Sequence, residues 1–289
     1  MSESGLIVVD KPAGLTSHDV VAQVRRLVGT RKVGHAGTLD PMATGVLVLG
    51  VNRATRMLGH LLVTDKKYDA TLRLGSSTRT DDADGAVIGT APTGEVTEDR
   101  LLTALSGFVG NVEQVPSAVS AIKVDGRRAY ERVRAGEKVE LTARTVRIDS
   151  IEVHRMRLGE VVVDLDVSVG CSSGTYIRAI ARDLGELLGT GGHMTALRRT
   201  AVGPFGLDVA RTLEELAQDP TIISIGEAAR TGFPSYALSE AEAIDVRFGR
   251  QIEVDLEAGG PVAVFAPDGE FLALYEQADE TAKAVAVFV

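Results

Sequence analysis

Gly34-His35-Ala36-Gly37-Thr38-Leu39-Asp40-Pro41-Met42-Ala43-Thr44-Gly45 packs three glycines, one proline, one histidine and one carboxylate into twelve residues. An apolar run, Val46-Leu47-Val48-Leu49, follows at once. Gly and Pro at this density predict a loop with special backbone angles rather than a helix. The apolar run predicts a buried strand that anchors it. From the stretch alone two readings of Asp40 stay open. One is a structural turn whose carboxylate accepts backbone N–H bonds. The other is a rigid scaffold presenting a single polar group to a ligand.

The 289 residues are 44% hydrophobic and 25% charged, an ordinary globular composition with room for one large domain and a small one. No apolar run approaches the roughly 18 residues of a membrane span. The segment Met1-Ser2-Glu3-Ser4-Gly5 lacks the basic start of a signal peptide, so a soluble cytoplasmic protein is expected. Cys171 is the single cysteine, which rules out an internal disulfide and a thiolate metal cluster. The five histidines show no metal-binding spacing, and no metal site is expected. The net charge of −9 argues against nucleic acid until its distribution is considered. Residues 213–289 hold 4 basic and 15 acidic side chains, leaving +2 on residues 1–212. The larger part therefore has local basic clusters able to steer a polyanion, and the asymmetry suggests a domain boundary.

Several elements are legible along the chain. Leu6–Val9 predicts a short strand closed by an Asp10–Gly14 turn. Thr16 or Ser17 caps a helix with Val20, Val21, Val24, Leu27 and Val28 on one face, ended by Gly29. A helix is expected over 53–62. Lys66 to Gly75 alternates with period two and turns Tyr68, Ala70, Leu72 and Leu74 to one face. Residues 76–85 read as a polar loop without a calcium-loop pattern. Thr97 caps a helix through Leu105, and 144–153 with 161–169 read as an antiparallel pair. A helix then buries Ile177, Ile180, Ala181, Leu184 and Leu188, with Arg178 in its first turn. An arginine forced near a core requires a carboxylate, and no spacing identifies which. Between 123 and 134, five basic residues face two acidic ones. A solvated helix face and a phosphate-contacting element both fit that cluster. His193–Phe205 reads as a strand, and Thr212 caps a short helix. Beyond Phe233-Pro234-Ser235, short strands with turns at Gly249, Gly259-Gly260 and Pro267-Asp268-Gly269 suggest a small acidic β module.

Five separated blocks resemble those of the bacterial tRNA pseudouridine-55 synthases, the TruB family. They are Val9-Asp10-Lys11-Pro12-Ala13-Gly14-Leu15-Thr16-Ser17; Gly34 to Gly45; Lys67-Tyr68 with Arg79-Thr80-Asp81-Asp82-Ala83-Asp84-Gly85; Ser120-Ala121-Ile122-Lys123 with Gly126-Arg127-Arg128-Ala129-Tyr130; and Gly174-Thr175-Tyr176-Ile177-Arg178. Their order and spacing hold across roughly residues 5–205. The resemblance implies an α+β fold: a large mixed, mostly antiparallel central sheet with flanking helices, plus a small C-terminal β-rich module like the pseudouridine synthase and archaeosine transglycosylase (PUA) domain. The implied division is a catalytic domain over 1–232, with an RNA-closing thumb over about 114–134, and the small domain over 236–289.

The resemblance also implies roles. Asp40 matches the catalytic aspartate, Tyr68 the aromatic stacked on the target uracil, and Arg178 the arginine paired with the catalytic carboxylate. His35 matches the residue that helps splay out the base, Leu197 a leucine lining the base pocket, and Lys11 a lysine of structural role. Lys123, Arg127, Arg128, Tyr130 and Tyr176 fall among the residues expected to hold RNA. The implied activity is isomerisation of a uridine in the T loop, position 55, of tRNA, by base flipping and without a cofactor. The partner is the tRNA T stem-loop, met by a monomer with no membrane and no obligatory protein partner. The alternative is a non-catalytic RNA-binding or tRNA-folding role on the same scaffold.

Overall fold

A computed structural model describes residues 3–117 and 141–289, together with the backbone of 123–124 and 127–128. The chain is α+β, with a large, mostly antiparallel sheet, flanking helices and a small C-terminal β sheet. It divides into two compact units, Met1–Thr64 with Ala201–Val289, and Asp65–Thr200.

In the first unit, strand Gly5–Lys11 pairs antiparallel with Thr44–Val51, and strand Val33–Ala36 also pairs with Thr44–Val51. The central run is apolar throughout because both of its faces are covered. Val46 and Val48 enter one core with Leu6, Val8, Met57, Leu61 and Phe205. Leu47 and Leu49 enter another with Ile7, Val9 and the Val20, Val21 and Val24 face of helix Ser17–Leu27. The helix begins at Thr16, whose hydroxyl accepts the Asp19 N–H while the Asp19 carboxylate accepts the Thr16 N–H.

Three expectations in this unit need correction. The expected loop from Gly34 begins as a strand, because Gly34, His35 and Ala36 find backbone partners in Gly50, Leu49 and Val48. The expected helix over 53–62 is a 3-10 turn, Asn52–Arg56, followed by a short α-helix, Leu58–Leu62. The turn lies so close to the sheet that a Cβ on Gly50 would meet the Ala54 carbonyl oxygen at 2.8 Å. The C-terminal module is not strands alone. Ser239 caps a helix, Glu240–Arg247, by accepting the Glu242 N–H, and Glu242 returns the bond. Strands Ser235–Ala237, Val262–Phe265, Phe271–Ala278 and Thr281–Val287 complete the module. Its inner side has its own core around Leu238, Val246, Val264, Leu272 and Tyr275. Phe265, Phe271, Leu274 and Phe288 instead join the core of Leu6, Val8 and Val48.

In the second unit, the sheet runs in the order Gly192–Val202, Lys66–Leu74, Val163–Cys171, Arg144–Arg157, Gly110–Gln114. Strand Lys66–Leu74 alternates as expected: Tyr68, Ala70, Leu72 and Leu74 are buried, while Lys67 and Asp69 are exposed. Helix Ile177–Leu188 buries Ile177, Arg178, Ile180, Ala181 and Leu184. The opposite sheet face is charged. Arg73 meets Asp164 at 2.7 and 2.9 Å, and Asp166 accepts bonds from Thr71 and Arg157. The Arg157 guanidinium foremost holds the Asp166 carboxyl down at about 2.

Candidate active site

The expected residues are distributed over both units. Lys11, His35 and Asp40 belong to the first; Tyr68, Tyr176, Arg178 and Leu197 belong to the second.

In the first unit, the Asp40 loop is held on both sides of the aspartate. Ahead of it, the buried Ser17 hydroxyl accepts the Leu39 N–H at 2.9 Å and donates to the Leu39 carbonyl at 3.1 Å. Behind it, the fully buried Lys11 ammonium donates to the carbonyls of Pro12 at 2.9 Å, Leu15 at 2.7 Å and Pro41 at 3.2 Å. These three carbonyl acceptors give the buried ammonium directional hydrogen bonds that offset its desolvation. The Gly14 N–H adds a second bond to the Pro41 carbonyl at 2.8 Å, and the Ala43 N–H closes on the Asp40 carbonyl at 3.1 Å. Gly37 and Gly45, at φ of 86° and 98°, make the reversals a side chain would strain. The half-buried Asp40 thus sits on a backbone fixed by its neighbours. His35 is also half-buried, and its ring meets that of His18 edge-on, centroids 5.6 Å apart.

In the second unit, Tyr68 is 8% exposed and lies opposite Val169 in the sheet. Arg178 is 4% exposed, and its Nη1 donates to the Thr80 carbonyl at 2.9 Å and to Asp82 Oδ2 at 3.2 Å. Asp82, itself 5% exposed, accepts further bonds at Oδ1 from the Thr80 hydroxyl and, at 3.1 Å, from the Asp84 N–H. One helical turn after Arg178, Arg182 meets Asp81 at 3.2 Å and donates to the Val115 carbonyl at 2.7 Å. Two successive loop carboxylates therefore meet two arginines spaced i, i+4 on one helix face. The 76–85 loop, expected to be irregular, includes strand Ser76–Thr78 and is nailed to the helix by these pairs. Leu197 is half-buried on strand Gly192–Val202, and Tyr176 is half-buried just ahead of the Arg178 helix.

Two further cations lie inside this unit. Lys66, 6% exposed, shares the strand face of Tyr68, and Arg199 is 1% exposed. Burial, and then the Arg199 charge, bring the Lys66 ammonium down to about 8. Burial pushes the Cys171 thiol, opposite Lys66 in register, up to about 11. An inert thiol is the consequence.

Within the basic 114–134 segment, the backbones of Lys123 and Arg128 pair across a short ladder with Val124 and Arg127. Tyr130 lies outside the described residues. Among the described residues no group of three or more His, Cys, Asp or Glu could hold a metal ion, and no helix is long and apolar enough to cross a membrane.

Sequence reasoning did not find Ser17 or Asp82 as partners. Thr16 takes the helix cap and frees Ser17 for the loop, a choice the two adjacent hydroxyls left open.

A profile of the TruB family pseudouridylate synthase N-terminal domain matches residues 25–177. Profiles of the tRNA pseudouridylate synthase B C-terminal domain and the tRNA pseudouridine synthase II C-terminal domain match 178–224 and 233–289. The chain belongs to the TruB family. Among its TruB relatives, tRNA pseudouridine synthase B of Arthrobacter sp. (strain FB24) is 57% identical over 99% of this chain and 96% of its own length. The protein of that name from Streptomyces griseus subsp. griseus is 54% identical over 98% of this chain and 97% of its own. A chain in the crystal structure of a Cbf5–Nop10–Gar1 complex is 27% identical and superposes with a TM-score of 0.75, covering 99% of this chain and 85% of that one. TruB membership thus agrees with the expected α+β fold along the whole sequence.

Proposed function

We propose that the protein isomerises a uridine to pseudouridine in the T loop of tRNA, position 55, with Asp40 as the acting carboxylate. The backbone clamp around Asp40 carries this reading. A nucleophile or base must be held within a fraction of an ångström of its target, and Ser17 and Lys11 hold the Leu39 peptide and the Pro41 carbonyl on either side of it. Full-length similarity to proteins named tRNA pseudouridine synthase B supports tRNA as the substrate.

The reaction breaks the N1–C1′ bond, turns the uracil and joins C5 to C1′; C5 loses a proton and N1 gains one. Atoms and electrons balance within the nucleotide, so one carboxylate and one proton relay suffice. The uridine leaves its loop to be reached. His35 assists that exit and Leu197 lines the base pocket. Tyr68 offers the base a flat apolar face and a hydroxyl for the C5 proton. Arg178, fixed by Asp82, supplies positive charge to the reacting groups. Lys11 acts through the loop it braces. Lys123, Arg127, Arg128, Tyr130 and Tyr176 hold the RNA, so affinity falls with salt. A single chain does this without a protein partner.

The test is incubation of the purified protein alone with an unmodified tRNA transcript, followed by mapping of pseudouridine by position. Asp40→Asn is expected to bind the transcript and form none. Substantial turnover by that variant, or modification at another position only, overturns the reading.

A further inference from the structure

Helix Ile177–Leu188 carries Arg178 but has no side-chain cap of its own at its start. Its N-cap is Tyr176, which offers no capping side-chain bond, and its first turn holds no acidic residue. An unfixed start matters here. A slip of one residue rotates every side chain by about 100° around the axis, and Arg178 and Arg182 would both leave Asp82 and Asp81.

The start is fixed from elsewhere in the same unit. Gln114, 3% exposed at the end of strand Gly110–Gln114, grips the Tyr176 peptide from both sides. Its Oε1 accepts the Tyr176 N–H at 2.8 Å, and its Nε2 donates to the Tyr176 carbonyl at 3.1 Å. Arg144, opposite Gln114 in register, lies with its guanidinium 5.0 Å from the centre of the Tyr176 ring and donates to the Gly174 carbonyl. The peptide, the ring and the preceding turn are thereby held by two neighbouring residues of one strand pair. The bonds are short-range and directional, whereas the apolar helix face would tolerate small slides.

We propose that Gln114 and Arg144 are positioning residues of the reaction, fixing the start of the helix that holds Arg178. The proposal rests on the reading of Arg178 as a participant in pseudouridine formation. It assigns a non-local cap to residues that touch no reacting atom.

The experiment uses the full chain, an unmodified tRNA transcript and single-turnover kinetics, with Gln114→Ala and, as a second variant on the opposite strand, Arg144→Lys. Each is expected to lower the single-turnover rate constant by about tenfold to a hundredfold. The tRNA dissociation constant should rise far less than the rate constant falls, since Tyr176 is only one of the residues proposed to hold the RNA, the signature of lost positioning rather than lost binding. Amide exchange at residues 176–180 should quicken in both variants while exchange in strand Lys66–Leu74 stays protected. Wild-type rate constants in both variants overturn the proposal. So does a raised dissociation constant with a flatter salt dependence for Arg144→Lys, which would make Arg144 a phosphate contact. If wild type forms no pseudouridine, the functional reading itself fails; an active wild type with unaffected variants removes this proposal alone.

Discussion

The Ser17 hydroxyl holds the Leu39 peptide from both sides, accepting its N–H at 2.9 Å and donating to its carbonyl at 3.1 Å. Both residues are buried, and Asp40 is the next residue in the chain. Ser17→Ala leaves a buried N–H and C=O without that partner, at an expected cost of about 1–3 kcal/mol in unfolding free energy. The single-turnover rate should fall by about tenfold or more as the loop loosens, with tRNA affinity kept. Urea denaturation and a tritium-release assay measure the two effects; full activity in a destabilised variant would separate the clamp from the chemistry.

Asp82 and Arg178 form a pair buried on both sides. Asp82→Asn keeps the shape but removes one countercharge from a guanidinium that cannot lose its proton. Breaking such a pair costs about 3 kcal/mol or more. We expect a clear drop in the denaturation midpoint together with a loss of turnover larger than any change in tRNA binding. Unchanged stability would show that Arg178 is satisfied without Asp82.

Lys66 gives the protein an alkaline signature. Its ammonium is brought down to about 8 in the folded chain, chiefly by burial, against about 10.4 when unfolded. Between those values the unfolded chain binds the extra proton, so this residue's contribution to stability rises with pH above about 8. The limiting slope for one proton is about 1.4 kcal/mol per pH unit. Cys171, raised to about 11, acts in the opposite direction above pH 9, so the window to measure is pH 8 to 9. Unfolding free energy there should climb less steeply in Lys66→Met than in wild type; equal slopes would dismiss the assignment.

Three C-terminal arginines are already engaged. Arg247 meets Glu270 at 2.7 Å, Arg250 meets Asp245 at 2.8 Å, and Arg230 lies 3.8 Å over the Phe265 ring. Arg247→Ala plus Arg250→Ala should therefore leave the tRNA dissociation constant and its salt slope near wild type. Arg127→Ala plus Arg128→Ala should weaken binding and reduce the slope by about one to two. Filter binding across a salt series distinguishes the pairs, and the reverse result would move the RNA interface to the acidic module.

Much of this was legible because period and punctuation speak locally. The alternation of 66–74, the Thr16 cap and the apolar run at 46–49 each carry their structure in a few consecutive residues. Pairings set by tertiary folding were not legible. Nothing near Arg178 in sequence identifies Asp82, and nothing near Tyr176 identifies Gln114. Helix Glu240–Arg247 is a different kind of miss. Its Ser239-x-x-Glu242 capping box was present, but the surrounding glycines and short apolar runs favoured strands. His35 and Ala36 became strand because the backbone groups of Leu49 and Val48 pair with theirs, a demand glycine content does not reveal.

Arg53 and Arg56 hold the carbonyls of Phe288 and Val287 at 2.6 and 2.7 Å, and Phe288 is buried in the same core as Leu6 and Val48. The consequence is one of timing. Residues 65–200 form one continuous stretch of chain, whereas the core of the first 64 is completed by residues made after it, Phe288 among them. At synthesis rates of about 5–20 residues per second, that wait is on the order of ten seconds or more. Throughout it, the Val46 and Val48 face of the strand behind the Asp40 loop has Leu6, Val8, Met57 and Leu61 against it but lacks Phe265, Phe271 and Phe288. Loss of Phe288 would leave a gap in that core, so a short C-terminal truncation should be felt at the N-terminal sheet.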